Sequence, residues 1–120
     1  MIMDVEEFRQ YCLSLGDVAE KMPFGKFAAR YDSILAFYAE GHMFCFIDID
    51  DFTYVDLKAE PEKVAELRQT RFSVGAPING SLKHWVKIDF GGDVPMKEAL
   101  GLVKEAYSLV AAKYRRKNTL

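Results

Sequence analysis

The run from Met43 to Asp50 constrains this chain more than any other stretch. Read as a strand, with side chains alternating between faces, it sets Phe44 and Phe46 on one side and Met43, Cys45, Ile47 and Ile49 on the other. Both faces are apolar, so the strand belongs in the middle of a sheet that is covered on both sides. Ser33 to Glu40 reads as the strand before it, with Gly41-His42 as a tight turn and His42 as a solvated turn residue. Asp51-Phe52 then turns the chain into a third strand, Thr53 to Lys58, with Val55 and Leu57 pointing one way. A fourth run, Lys83 to Phe90, sends Val86, Ile88 and Phe90 to one face and Trp85, Lys87 and Asp89 to the other.

Helical spacing frames these strands. Asp4 suits an N-cap, Glu6 and Glu7 suit the positive end of a helix dipole, and Val5, Phe8, Cys12 and Leu15 make one stripe. Gly16 stands where a C′ glycine closes such a helix. Asp17 to Phe27 holds Met22-Pro23-Phe24-Gly25, a turn with an apolar anchor. Pro61 fits the first position of a second helix that is short and mostly exposed, with acids at its start and Arg68 and Arg71 at its end. Ser73 to Leu82, rich in turn residues, is expected to carry no regular structure. The last helix is the plainest: Met96, Leu100, Val103, Tyr107, Val110 and Tyr114 step along one face, with Pro95 at the start and Arg115-Arg116-Lys117 at the end. The order predicts an α+β fold, a two-layer domain with a largely antiparallel sheet packed on helices, in a single domain over residues 1–120.

Composition narrows the function classes. With 120 residues, half of them hydrophobic, the chain can bury one proper core. No apolar run approaches the ~20 residues that span a bilayer, so no membrane association is expected. Met1-Ile2-Met3-Asp4 lacks the basic and apolar segments of a secretion signal, which makes the cytoplasm the expected location. Cys12 and Cys45 fall on apolar positions and read as buried, reduced thiols. The net charge is −2, without the basic excess of an indiscriminate nucleic-acid binder. The charge is uneven, however. Acids dominate Glu40 to Glu66, whereas cations dominate Leu67 to Phe90 and Lys104 to Leu120, so the second half can form a local basic patch.

No established catalytic motif is present, and the expectation is a binder with no catalytic residues, no metal site and no cofactor. The run Asp48-Ile49-Asp50-Asp51, with Asp56 beyond it, lacks cation-loop spacing and reads as a solvated strand end that protects a sheet edge. His84 has no nucleophile partner suggested by spacing, which favours packing or hydrogen bonding over base catalysis. Trp85 reads as a core or edge aromatic; the functional alternative is a ring that stacks on a base, with Lys83 and Lys87 beside it for phosphate.

Four short segments, in order along nearly the whole chain, resemble the signatures of the MmcQ/YjbR-like proteins, small bacterial domains. Glu20-Lys21-Met22-Pro23-Phe24-Gly25 is similar to that family's E-x-x-P-F-G turn. Val55 to Glu62, followed by Glu66-Leu67-Arg68, is similar to its N-L-K-x-x-P-E strand-to-helix passage. Lys83-His84-Trp85-Val86 resembles its K-H-W strand, and Ala106 to Val110 resembles the S-Y-x-L-V part of its final helix. Gly80-Ser81-Leu82 depart from the M-N-K that commonly precedes K-H-W, which removes one amide and one cation. The resemblance implies an antiparallel sheet packed on helices, akin to frataxin-like and secretion-chaperone-like folds. It also implies a DNA-binding protein with a double-wing motif, two loops or hairpins that grip the duplex. In that reading Lys83, Lys87, Arg68, Arg71, Arg115, Arg116 and Lys117 contact phosphates, while His84 and Trp85 position the loop or meet bases. The rival expectation is a protein-interaction or chaperone-like adaptor with a protein partner in place of DNA, as a monomer or homodimer.

Overall fold

The structure, a computed structural model, describes residues 3–23, 32–78 and 82–118. Its elements run α1 (Val5–Leu13), β1 (Val18–Lys21), β2 (Ile34–Ala39), β3 (His42–Asp48), β4 (Tyr54–Lys58), α2 (Pro61–Thr70), β5 (Val74–Gly75), β6 (Trp85–Asp89) and α3 (Met96–Asn118). The six strands form one sheet in the order β1-β2-β3-β4-β6-β5, and every neighbouring pair is antiparallel. The expected α+β class holds, with β3 central as its two apolar faces require.

Local chemistry accounts for the element ends. Asp4 and Glu7 form a reciprocal capping box at α1: the Glu7 N–H donates to the Asp4 carboxylate at 2.8 Å, and the Asp4 N–H donates back to Glu7 at 3.1 Å. α1 closes at Ser14, so Gly16 has a different purpose from the expected cap. A Cβ at Gly16 would lie 2.0 Å from the Tyr107 hydroxyl of α3, and only glycine allows that approach. The hairpin turn is Glu40-Gly41, both with positive φ (51° and 78°), instead of Gly41-His42. Two consecutive left-handed residues match the twist of the strands they join. His42 therefore opens β3, and its ring stacks on Tyr114 with centroids 3.4 Å apart.

Two strands were not expected. β1 pairs with β2 from Val18↔Ala39 to Lys21↔Ala36, and a bidentate Arg9–Glu20 ion pair ties it to α1. Its sequence, Val-Ala-Glu-Lys, offers only one strong strand former. The expected turn around Met22-Pro23-Phe24-Gly25 lies partly outside the described residues. β5 is two residues long and pairs with β6 inside the stretch expected to be irregular.

A bulge changes which face the β3 side chains occupy. Phe37 pairs with Cys45 but Tyr38 pairs with Met43, so Phe44 is the extra residue. Phe44 and Cys45 consequently share a face with Ile47, and Phe46 shares the other with Met43. The main core lies between sheet and helices and includes Phe8, Phe37, Phe44, Val55, Leu57, Leu67, Val86 and Ile88. α3 enters it through Ala99, Leu102, Val103, Ala106, Val110 and Ala111, all buried. The small alanines bring the helix axis close to the sheet, so Met96, Leu100, Tyr107 and Tyr114 of the expected stripe line its flanks, half-buried. On the opposite face a smaller cluster joins Ile34, Ala36, Phe46 and Trp85 to Tyr38, Met43, Ile78 and Leu82.

Candidate phosphate-binding cleft

Of the expected binding residues whose side chains are described, Trp85 is buried and the others are spread around β6, α2 and α3. Lys83 and His84 are exposed at the entrance to β6. His84 has a positive φ of 61°, and its carbonyl accepts the Ala59 N–H at 2.9 Å, which pins this corner to the end of β4. Trp85 is only 5% exposed, and its ring packs 5.5 Å from Phe46, centroid to centroid. It is a core aromatic, with its face unavailable to a base. Lys87 leans along the second sheet face, 3.3 Å from the Asp89 carboxylate and 4.7 Å from the centre of the Tyr54 ring.

The other candidates belong to the helix layer. Arg71 donates to the Asp93 carbonyl at 2.8 Å and pairs with Glu98 at 2.8 Å, fastening the end of α2 to the start of α3. Arg68 is exposed on α2. Arg115 pairs with Glu40 at 3.2 Å, and that hydrogen bond, with a second to Tyr107, favours its charged form. The side chains of Arg116 and Lys117 lie outside the described residues.

A different set of cations does converge. The end of β4, the start of α2 and one flank of α3 enclose a cleft of about 520 Å³ lined by Lys58, Ala59, Glu60, Lys63, Leu102, Lys104, Glu105, Ser108 and Leu109. A recess of about 170 Å³ shares Lys58, Ala59, Glu60 and Leu109 with it and adds His84 and Lys113. Lys58, Lys63, Lys104 and Lys113 line this region with two acids, Glu60 and Glu105, around an apolar floor of Ala59, Leu102 and Leu109, and Lys63 also pairs with Glu66 at 3.7 Å. α2 begins here with Pro61 at its first position, and the Glu60 side chain makes no capping bond. The first-turn N–H groups of Glu62 and Lys63 therefore add positive potential without a side-chain acceptor of their own. Sequence reasoning missed this set because its lysines come from three elements and form no run. The Lys58 to Lys63 junction was the only local hint.

Asp48 accepts the Ser33 hydroxyl at 2.8 Å and the N–H groups of Asp50 and Asp51 at 3.0 and 3.1 Å, so it organises a turn. Among the described residues no cluster of His, Cys, Asp and Glu could hold a metal ion. Cys12 and Cys45 are free, buried thiols with Sγ atoms 4.0 Å apart, and burial first, then the Cys12 contact, pushes the Cys45 thiol up, away from thiolate. Asp56 departs from the solvated strand end expected of it. It is fully buried in the second face, where burial raises its carboxyl to about 7.

The YjbR family model matches residues 13–109. No curated protein matches the chain. The crystal structure of Deinococcus radiodurans protein DR2400, a DUF419 domain, is similar at 30% identity and a TM-score of 0.75, over 92% of this chain and 80% of that one. A Pseudomonas syringae protein is similar in its crystal structure at 21% identity and a TM-score of 0.64, over 90% of this chain and 99% of that one. Its solution structure gives 21% identity and a TM-score of 0.63. Among the described residues no helix is long and apolar enough to cross a membrane.

Proposed function

The chain belongs to the YjbR family, and we propose that it is a DNA-binding protein that holds backbone phosphates in the lysine-rimmed cleft between the start of α2 and α3. One observation carries the reading: four lysines from three elements meet around a groove with an apolar floor. Flexible ammonium groups suit phosphate as point charges, and the open helix end supplies N–H donors to the same anion. His84 lines the recess and Lys83 is exposed beside it, so the Lys83-His84 corner serves as one wing of the expected double-wing motif. The described cleft residues include no Arg, Asn or Gln, the side chains that most often pair with base edges, so backbone contacts dominate and sequence preference is weak. The protein acts as a binder, not an enzyme, in the cytoplasm.

Duplex binding at two salt concentrations tests this. Lys58→Ala/Lys104→Ala is expected to weaken binding about tenfold or more at low salt and to reduce the slope of log K against log salt by about 2. Lys87→Ala, whose ammonium is engaged by Asp89, is expected to change neither. No binding by the unaltered chain at low salt would retire the proposal.

Phe72 favours a second reading, an adaptor for a protein partner. Its side chain is 85% exposed, while the N–H groups of Phe72 and Ser73 both donate to the Asp93 carboxylate, at 3.0 and 3.1 Å. A rigidly presented aromatic is a common interface anchor. Phe72→Ala is expected to leave DNA affinity unchanged under the first reading and to abolish partner binding under the second.

A further inference from the structure

Asp56 is the one buried ionisable side chain for which the described structure supplies too few hydrogen bonds. It lies opposite Phe46 of β3 and Lys87 of β6 and has no exposed surface. One carboxyl oxygen accepts the Ile78 N–H at 2.9 Å; the other, Oδ1, has no donor. An ionised carboxylate with a single hydrogen bond in an apolar layer is strongly disfavoured. The cation across the ladder is turned elsewhere, with the Lys87 ammonium 3.3 Å from Asp89 and over the Tyr54 ring. Among the described residues, the charges acting on Asp56 are Lys87, which favours its ionised form, and Asp89, which opposes it. β3 presents Phe46 and the β5–β6 segment presents the Ile78 amide, neither of which titrates.

We propose that Asp56, Lys87 and Asp89 form a proton-operated switch: Lys87 rests on Asp89 while Asp56 is neutral, and crosses the β4–β6 ladder to Oδ1 when Asp56 ionises. The proton passes to solvent and Lys87 stays protonated throughout. Directly opposed residues on antiparallel strands have Cβ atoms roughly 5 Å apart, within easy reach of a lysine stem. The Ile78 N–H bond survives the change, because a carboxylate accepts more strongly than a neutral carboxyl. Crossing leaves the exposed Asp89 carboxylate bare, so this surface changes from a neutral ion pair to an anion. Burial places the transition near neutrality, where it responds to ordinary physiological changes in pH. The switch lies on the sheet face away from the cleft and is independent of the ligand proposed there.

A carbon- and nitrogen-detected NMR titration of the unliganded protein from pH 5 to 9 tests it. The Asp56 Cγ is expected to titrate near neutral pH, with the Lys87 Nζ and Asp89 Cγ signals shifting at the same midpoint. Lys87→Met, which keeps the apolar stem, should raise the Asp56 midpoint by about one unit. Asp89→Asn, at an exposed site, should lower it. Titration of Asp56 in the ordinary carboxylate range would overturn the switch. So would an Asp56 midpoint indifferent to Lys87→Met, or Lys87 and Asp89 signals that stay fixed as Asp56 ionises.

Discussion

The two faces of this sheet are covered by different means. On one face α1, α2 and α3 contribute apolar side chains to a continuous core with Phe37, Phe44, Val55, Leu57 and Val103. On the other, Phe46 and Trp85 are covered by Ile78 and Leu82 from a connecting segment, and a carboxyl group is buried beside them. The same strands build both layers through alternating side chains, and among the described residues the buried acid whose charge is costly, Asp56, lies in the second. The helix layer supplies rigidity and, at the seam between α2 and α3, the lysine cleft. The second face, through Asp56, supplies sensitivity to pH.

Deleting a large ring from each layer is the strongest way to break this contrast. Phe37→Ala is expected to cost about 3–5 kcal/mol in urea denaturation, and Phe46→Ala less, because its described neighbours form the smaller of the two clusters. Equal costs would mean that the second layer is as firmly packed as the first.

The next effect is pH dependence. Asp56 has a higher pKa folded than unfolded, so the stability tied to its neutral form is complete below about 4. That stability is lost as pH rises through about 7. The loss is on the order of 4 kcal/mol at most, reduced by whatever Lys87 recovers on crossing. Asp56→Asn is expected to flatten this part of the profile, read as thermal midpoints between pH 4 and 8, while the helix layer contributes no comparable slope. A smaller effect sharpens the other side of the comparison. Gly16→Ala is expected to cost about 1–3 kcal/mol by driving a methyl group into Tyr107, with partial relief from Tyr107→Phe.

Much of the fold was legible because strong local signals agreed. Asp4 with Glu7 marked α1, Pro61 marked α2, and the stepping apolar residues marked α3. The unread parts depend on relations between distant residues. The bulge at Phe44 reverses the face assignment within β3, and simple alternation cannot register an extra residue. Glu40 adopts a left-handed conformation with no glycine to announce it, which moved the turn by one residue. Asp56 looked like part of an acidic strand end because nothing nearby in sequence shows that Ile78 folds over it. For the site, Lys87 beside Trp85 is engaged by Asp89, and Lys58, Lys63, Lys104 and Lys113 come from elements distant in sequence and line one region only when α3 lies beside α2.

The most direct test of the central claim is amide shift mapping during titration with a short DNA duplex at low salt. The largest changes are expected at Lys58, Lys63, His84, Lys104, Ser108 and Lys113, around the cleft, with Phe46 and Lys87 on the other face unmoved. Changes centred on Lys87 and the second face, or no changes at all, would contradict the assignment of the cleft.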